Sequence, residues 1–320
     1  MTAEWCDDGH KTRGLRFREM IRIGTRGSRL ALAQTAWVKG KLKEKFPDAR
    51  IETILIKTSG DRFLEASVQA IGGKGIFTKE IEDALLRNEI DIAVHSMKDL
   101  PTDLSAGLIV AAIPHREDPR DVLVSTGAKK LSDLFAGAKI GTGSLRRTAQ
   151  LRHYRRDLMI VPIRGNVDTR LKKLDQGECD ALVMAAAGLK RIDREERIAE
   201  YISNDVCLSA AGQGALGLES RENDSIREQL SFLHDPATFA EVTAERSFLN
   251  RLGGGCHVPV GARGVAQGEK FRLLGVVANP DGSSLFRGET SGCVAHAEEL
   301  GCELAERLLS QGAQQILIAS

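Results

Sequence analysis

Cys256 stands directly behind three glycines in "NRLGGGCHVP", residues 250–259. A thiol on a glycine-rich loop is accessible and lets a ligand approach closely, as a nucleophile or a covalent attachment point must. A protease-like nucleophile needs a partner base, and neighbouring His257 cannot readily fold back as one. Attachment is the better specific role, and on local sequence it ties with an inert thiol. In "DIAVHSMKDLPTDL", Lys98 and Asp99 follow an apolar strand that Pro101 stops from continuing as a central one. A carboxylate there can act as general acid or base, or stabilise a developing cation. The alternative is a loop ion pair between the two neighbours, which local sequence alone favours. His95 reads as a satisfied, partly buried histidine and not as a catalyst.

The arginines gather at turns. Arg26 and Arg29 flank the first; Arg146 and Arg147 open a second helix; Arg164 precedes "GN", and Arg170 sits one turn into the next helix. Guanidinium forks take carboxylate or phosphate in a bidentate way. Singly, such arginines make surface salt bridges; grouped at strand ends and helix starts, they point to a polyanionic small molecule. "GTRGSRLALAQ" (24–34) echoes "GTGSLRRTAQ" (141–150), with Ser28 and Ser144 as N-caps. Two like domains would then aim helix N-termini at one cleft, unless the echo is chance. "AIGGKGIFTKE" sets Gly72, Gly73 and Gly75 around Lys74 but lacks the P-loop spacing, so it excludes nucleotide hydrolysis and suits a mobile lid. "GQGALG" (212–217) matches G-x-G-x-x-G, yet strand-like "ALGLES" follows it, so an interdomain crossing replaces the dinucleotide reading.

The elements that must position these groups alternate. From Met20, strand candidates "MIRIG", "IETILIK", "DIAVHS", "GLIVAAI", "DVLVS", "KIGTG", "MIVPI" and "ALVMAAA" interleave with helices at Arg29–Phe46, Lys79–Asn88, Leu145–Arg156 and Val167–Gln176. That rhythm predicts parallel α/β sheets. After about residue 236 a helix leads to the cysteine loop. Strands "VPVGARGVA", "FRLLGVVA" and "LFRGETS" and a helix, "AHAEELGCELAERLLSQG", then suggest a small separate α+β domain. The 320 residues suffice for two or three domains. Acidic and basic residues nearly cancel, 44 against 45, and aromatics are 4%, which argues against a nucleic-acid binder even with "SLRRTAQLRHYRR" present. No apolar run is long enough for a membrane span. Residues 1–19 hold no apolar signal core and read as a solvated extension. Cysteines at 6, 179, 207, 256, 293 and 302 show no zinc spacing, so no metal is expected and reduced cytoplasmic thiols are.

Taken together, "IGTRGSRLALAQ", "GGKGIFTKEIEDALL", "DIAVHSMKDLP", "REDPRDVLVS", "GTGSLRR", "RGNVDTRLKKLD", "AAAGLKR", "GQGALGLE", "AERSFLNRL" and "GGCHVPVGA" resemble the porphobilinogen deaminase (hydroxymethylbilane synthase) family, in family order and from about Met20 onward. The resemblance implies two periplasmic-binding-protein-like lobes plus a small α+β C-terminal domain. Domain 1 would span 20–114 and 209–235, domain 2 115–208 and domain 3 236–320. It implies a monomeric, cytoplasmic transferase joining four porphobilinogen molecules head to tail into hydroxymethylbilane with loss of ammonia, for haem and other tetrapyrroles. A dipyrromethane cofactor would hang from Cys256 through a thioether. Lys98, Thr142, Ser144, Arg146 and Arg147 would hold cofactor carboxylates; Arg26, Ser28, Arg164 and Arg170 would hold substrate or growing chain. Asp99 would be the catalytic carboxylate, and Lys74 would lie in a mobile loop. Gly143 stands where a serine is common, and Gly253 where a glutamate is frequent. The rival is a non-enzymatic anion-binding protein of two α/β lobes, which leaves Cys256 and the third domain unexplained.

Overall fold

The structure, a computed structural model, describes residues 18, 20–59, 78–253 and 259–319. Strands β1 (Met20–Thr25), β2 (Arg50–Leu55), β3 (Ile92–Ser96) and β4 (Leu108–Ala112) come first. Next come β5 (Asp121–Ser125), β6 (Lys139–Gly141), β7 (Met159–Val161), β8 (Ala181–Ala185) and β9 (Glu200–Tyr201), and then β10 (Leu216–Arg221). One sheet has the order β2-β1-β3-β10-β4, the other β7-β6-β8-β5-β9. With β6 matched to β1, β7 to β2, β8 to β3, β5 to β10 and β9 to β4, the two orders are identical. The echo of the two Gly-Ser turns is therefore a repeat of topology, the turns leaving matched strands, β1 in one lobe and β6 in the other.

The sheets are mixed and not parallel throughout as the alternation predicts. β10 runs antiparallel to β3 and β4, and β5 runs antiparallel to β8 and β9. Both arrive straight from the other lobe. No helical crossover within their own sheet forces them to run parallel. The two crossings meet where Glu117 N donates to Gly214 O (3.3 Å). A Cβ on Gly214 would stand 2.3 Å from the Glu117 carbonyl, and its φ of 88° is also one that glycine tolerates. Here the glycines of "GQGALG" serve chain crossing.

Helices start where the sequence offers caps. Ser28 Oγ accepts from Ala31 N to open α1 (Arg29–Lys45). Thr78 stands at the N-cap of α2 (Lys79–Leu86). Ser144 caps α3 (Leu145–Tyr154) and Asn166 caps α4 (Val167–Asp175). Asp235 accepts from Ala237 and Thr238 N ahead of Pro236, opening α5 (Pro236–Arg251). After α5, β11 (Val260–Gln267), β12 (Lys270–Ala278) and β13 (Leu285–Cys293) form an antiparallel sheet. α5 and α6 (Ala297–Leu308) cover it with Phe248, Phe271, Leu273 and Leu304 in a separate core. The predicted final helix ends at Gly312, whose φ of 113° a helix cannot accept, and a further short helix covers Gln314–Ala319.

One expectation fails at its edge. Arg18, in the segment read as solvated, pairs with Asp91 (2.5 Å) and Asp224 (3.1 Å). Asp91 is buried beside β3 and also gathers Arg22 and Arg221. A desolvated carboxylate takes every guanidinium in reach. Among the described residues no helix is long and apolar enough to cross a membrane.

Candidate active site

Lys98 and Asp99 lie on a single 3₁₀ turn, Met97–Asp99, at the C-terminal end of β3 in the first lobe. Lys98 is half-buried and Asp99 exposed. Among the described residues no salt bridge joins the two side chains, although the field of Asp99 acts on the Lys98 ammonium. Burial holds the Lys98 ammonium below the ordinary lysine range; Asp99 and Asp121 oppose the shift, while Arg147 and Arg146 add to it. The first-lobe turn thus feels the arginines of the second. His95 is buried and its Nε2 lies 2.9 Å from Glu219 Oε2, a satisfied structural histidine.

In the second lobe, Arg146 and Arg147 are each 5% exposed and converge on fully buried Asp121. Arg146 Nη1 donates to Asp121 Oδ2 (2.6 Å) and to Leu208 O (2.6 Å). Arg147 donates to Asp121 Oδ1 from Nη2 (2.8 Å) and Nε (3.1 Å), and to Val183 O (3.0 Å). Gln213, from the return crossing, adds a third donor to Asp121 at 2.8 Å. Burial alone would raise the Asp121 carboxyl, but the two guanidiniums hold it well below the usual carboxylate range. Beside it burial and Asp121 push the Cys207 thiol up to about 12, so that sulfur is inert.

Thr142 Oγ1 accepts from Ser144 N (3.2 Å), and Ser144 Oγ from Arg147 N (3.5 Å). As acceptors, both hydroxyls keep their O–H for another partner. A Cβ at Gly143 would stand 3.4 Å from Ile163 O, so the missing serine costs a hydroxyl more than it reflects a lack of room. Arg170, half-buried on α4, donates Nε to Gly165 O (2.8 Å). Burial lowers its pKa to about 10, with Arg147 and Arg164 adding to the shift and Asp99 opposing it. Arg26 and Arg164 are half-buried, and Ser28 serves as the α1 cap. Arg29 reaches across the lobes to Asp168 Oδ1 (3.0 Å) and Ile192 O (2.8 Å).

The structure therefore brings Lys98, Asp99, Arg146, Arg147, Arg164 and Arg170 into one electrostatic cluster where the lobes face each other. Among the described residues five cations there meet two carboxylates, Asp99 and Asp121. A ligand carrying several carboxylates offsets that excess, so the donor set fits a polyacidic cofactor. Cys256 and Lys74 lie outside the described residues. Gly253, the last described residue before the cysteine loop, has a φ of 69°.

Sequence reasoning missed three groups. In the sequence Asp121 reads only as the start of a strand, and an acid opening an apolar run beside an arginine-rich helix is its signal. Arg191 was missed at the end of "AAAGLKR": burial lowers its pKa to about 10 and its Nη2 donates to Gly214 O (2.6 Å). The third is buried Arg116, bound to Glu245 through both Nη atoms (2.6 and 2.9 Å) and to Glu241 (3.3 Å). Acids four apart on the apolar face of α5 were its signal.

Fold and cluster define a two-lobed α/β protein with a cationic site between the lobes and a small third domain. Residues 21–229 match the family model of the porphobilinogen deaminase dipyromethane cofactor binding domain, and 239–310 that of the porphobilinogen deaminase C-terminal domain. Porphobilinogen deaminase of Syntrophotalea carbinolica is 51% identical over 93% of this chain and 95% of that one. That of Desulforudis audaxviator is 52% identical over 94% and 97%. The chain belongs to the porphobilinogen deaminase family. The periplasmic aliphatic sulphonate binding protein SsuA from Escherichia coli is similar at a TM-score of 0.39 and 16% identity, over 70% of this chain and 68% of that one. At that distance it adds nothing to the strand orders above.

Proposed function

We propose that this chain joins four porphobilinogen molecules head to tail into hydroxymethylbilane, losing ammonia at each addition and consuming water at release. The dipyrromethane group supplies the growing end to which each pyrrole is added. The observation that carries the reading is the unbalanced cationic cluster, because every pyrrole of substrate and cofactor brings two carboxylates. Arg146, Arg147, Lys98, Thr142 and Ser144 hold those of the cofactor; Arg26, Ser28, Arg164 and Arg170 hold those of substrate and chain. Among the described residues Asp99 carries the one carboxylate of the cluster that is exposed, since Asp121 is sealed under its arginines. It stabilises the cation left when ammonia departs and accepts hydrogen bonds from pyrrole N–H groups. Cys256 forms the thioether, and Lys74 belongs to a loop that covers the site. The lobes are 20–114 with 209–235 and 115–208, and 236–320 is the third domain. The protein works as a cytoplasmic monomer, without nucleic acid or membrane.

Intact-protein mass tests the attachment. The protein should exceed its sequence mass by one dipyrromethane and react with Ehrlich's reagent. Cys256→Ser should fold, lose both signals and lose turnover, because a hydroxyl is a far poorer nucleophile than a thiolate. A normal adduct mass in that variant would move the attachment elsewhere.

A further inference from the structure

The turn carrying Lys98 and Asp99 is held from outside its own lobe. Arg246 on α5 donates Nη1 to Leu100 O (2.8 Å) and Met97 O (3.4 Å), and Nη2 to Pro101 O (2.5 Å). These carbonyls bracket Asp99 on both sides. We propose that Arg246 is a positioning residue of the reaction: its guanidinium fixes the Lys98–Asp99 turn against the helix that leads to Cys256. The proposal rests on the reading of Asp99 as the catalytic carboxylate.

A single 3₁₀ turn has too few internal hydrogen bonds to hold one geometry. Leu100 is already extended, at φ −84° and ψ 126°, so the turn's last carbonyls point away from its own N–H groups. A planar guanidinium can donate to several carbonyls at once with fixed spacing, which an ammonium cannot. Four residues before Arg246, on the same face of α5, Val242 packs with Met97 and Leu100 in a small apolar cluster. The turn is thus gripped by an apolar contact and a polar clamp together. Among the described residues every hydrogen bond of Arg246 goes to a main-chain carbonyl. Burial lowers its pKa, opposed only by the field of Asp103, so the cation is kept desolvated to hold backbone. The next acids on α5 hold the crossings: Glu245 accepts from Gly212 N (2.6 Å) and binds Arg116. One helix therefore holds both the Asp99 turn and the crossing at Gly212.

The test compares Arg246→Met, Arg246→Lys and Asp99→Asn with the double variant Arg246→Met/Asp99→Asn, each confirmed by mass to carry the cofactor. Arg246→Met should slow single turnover about 10- to 100-fold, the cost of small misplacement at a reacting centre, with KM changed far less. Amide exchange should accelerate at residues 98–103 and stay unchanged at 121–125. Arg246→Lys should recover part of the rate. The double variant should be no slower than Asp99→Asn, because a misplaced carboxylate and an absent one fail in the same way. Multiplying losses, or unchanged exchange at 98–103, would overturn the positioning role. If Arg246→Met does not fold, exchange and rate in Arg246→Lys decide the same question. An Asp99→Asn enzyme that turns over like wild type would instead remove the catalytic reading, whatever the exchange shows.

Discussion

The two Gly-Ser turns occupy the same place in the same topology, yet their arginines are used in opposite ways. In the second lobe Arg146 and Arg147 are sealed on Asp121 and tied to main-chain carbonyls. In the first lobe Arg26 is half-buried, and Arg29 is exposed and spent on a bridge to the other lobe. One turn is a buried cationic floor already paired within the fold; the other is a partly exposed contact surface. A permanently attached group suits the floor, while substrates that come and go suit the open turn. The position of Asp121 explains the difference. It is the first residue of β5, the strand by which the chain enters the second lobe, and the first lobe has no acid matched to it on β10, which begins at Leu216.

The contrast breaks most severely at Arg147. Arg147→Leu removes one of the two guanidiniums on a fully buried carboxylate, and breaking such a pair typically costs about 3–5 kcal/mol. The variant should melt well below wild type and accumulate without the cofactor mass. Full loading with an unchanged Tm would show that the floor is not a floor. Acid alone should not undo it. The Asp121 pKa is depressed in the fold, so its contribution is present above the unfolded carboxylate range and lost only as pH falls through the much lower folded value. Wild type should therefore keep the contribution of Asp121 at mildly acid pH, and a thermal-melt series on Asp121→Asn against wild type would show it as a gap that stays constant down to about pH 5.

Arg26→Leu attacks the other turn and should act on chemistry with little effect on folding. Cofactor mass should be normal and elongation should stall, for loss of a charge-assisted hydrogen bond of about 1.5–3 kcal/mol, or roughly 10- to 100-fold in kcat/KM. A variant that loses cofactor as readily as Arg147→Leu would erase the distinction between the turns.

How much of this was legible follows the same line. Caps and apolar runs are local, so Ser28 and Ser144 mark their helices and "DVLVS" its strand to the residue. Strand direction is not local. Nothing in the apolar pattern of β5 or β10 records that each enters its sheet from the other lobe. The arginines were legible as a group because they recur at turns, whereas their partners were not. Asp121, Glu241 and Glu245 look like ordinary acids until folding buries them. Arg246 lies within the motif "AERSFLNRL", but its partners are main-chain carbonyls, which have no sequence signature. The site's chemistry was readable where side chains carry it and hidden where backbone or burial does.

A smaller change tests the bridge between the lobes. Arg29→Ala removes the pair with Asp168 and the hydrogen bond to Ile192 O, both groups being about half exposed. An exposed pair is worth about 0.2–1 kcal/mol, so Tm should move by no more than a few degrees. Solution scattering should nevertheless show a wider lobe separation, since the bond spans the gap. A scattering curve identical to wild type would leave Arg29 as an ordinary surface pair.

The mildest change lies away from both turns. A chain started at Met20 loses Arg18, which pairs with Asp91 and Asp224 at the back of β3. Asp91 keeps three hydrogen bonds from Arg22, through N (2.8 Å), Nε (3.1 Å) and Nη2 (2.8 Å), and Arg221 remains within 3.4 Å. The carboxylate is therefore not orphaned, which separates this case from Arg147→Leu, where a buried network loses a member it cannot replace. The Arg18 side chain is 31% exposed, so its pair falls near the surface range, about 0–1 kcal/mol. The shortened protein should melt slightly lower, by a shift that high salt reduces, and should load cofactor and elongate as wild type does. If it loses cofactor or stalls, the residues before β1 act on the site itself, and the division of labour between the two turns omits a third contributor.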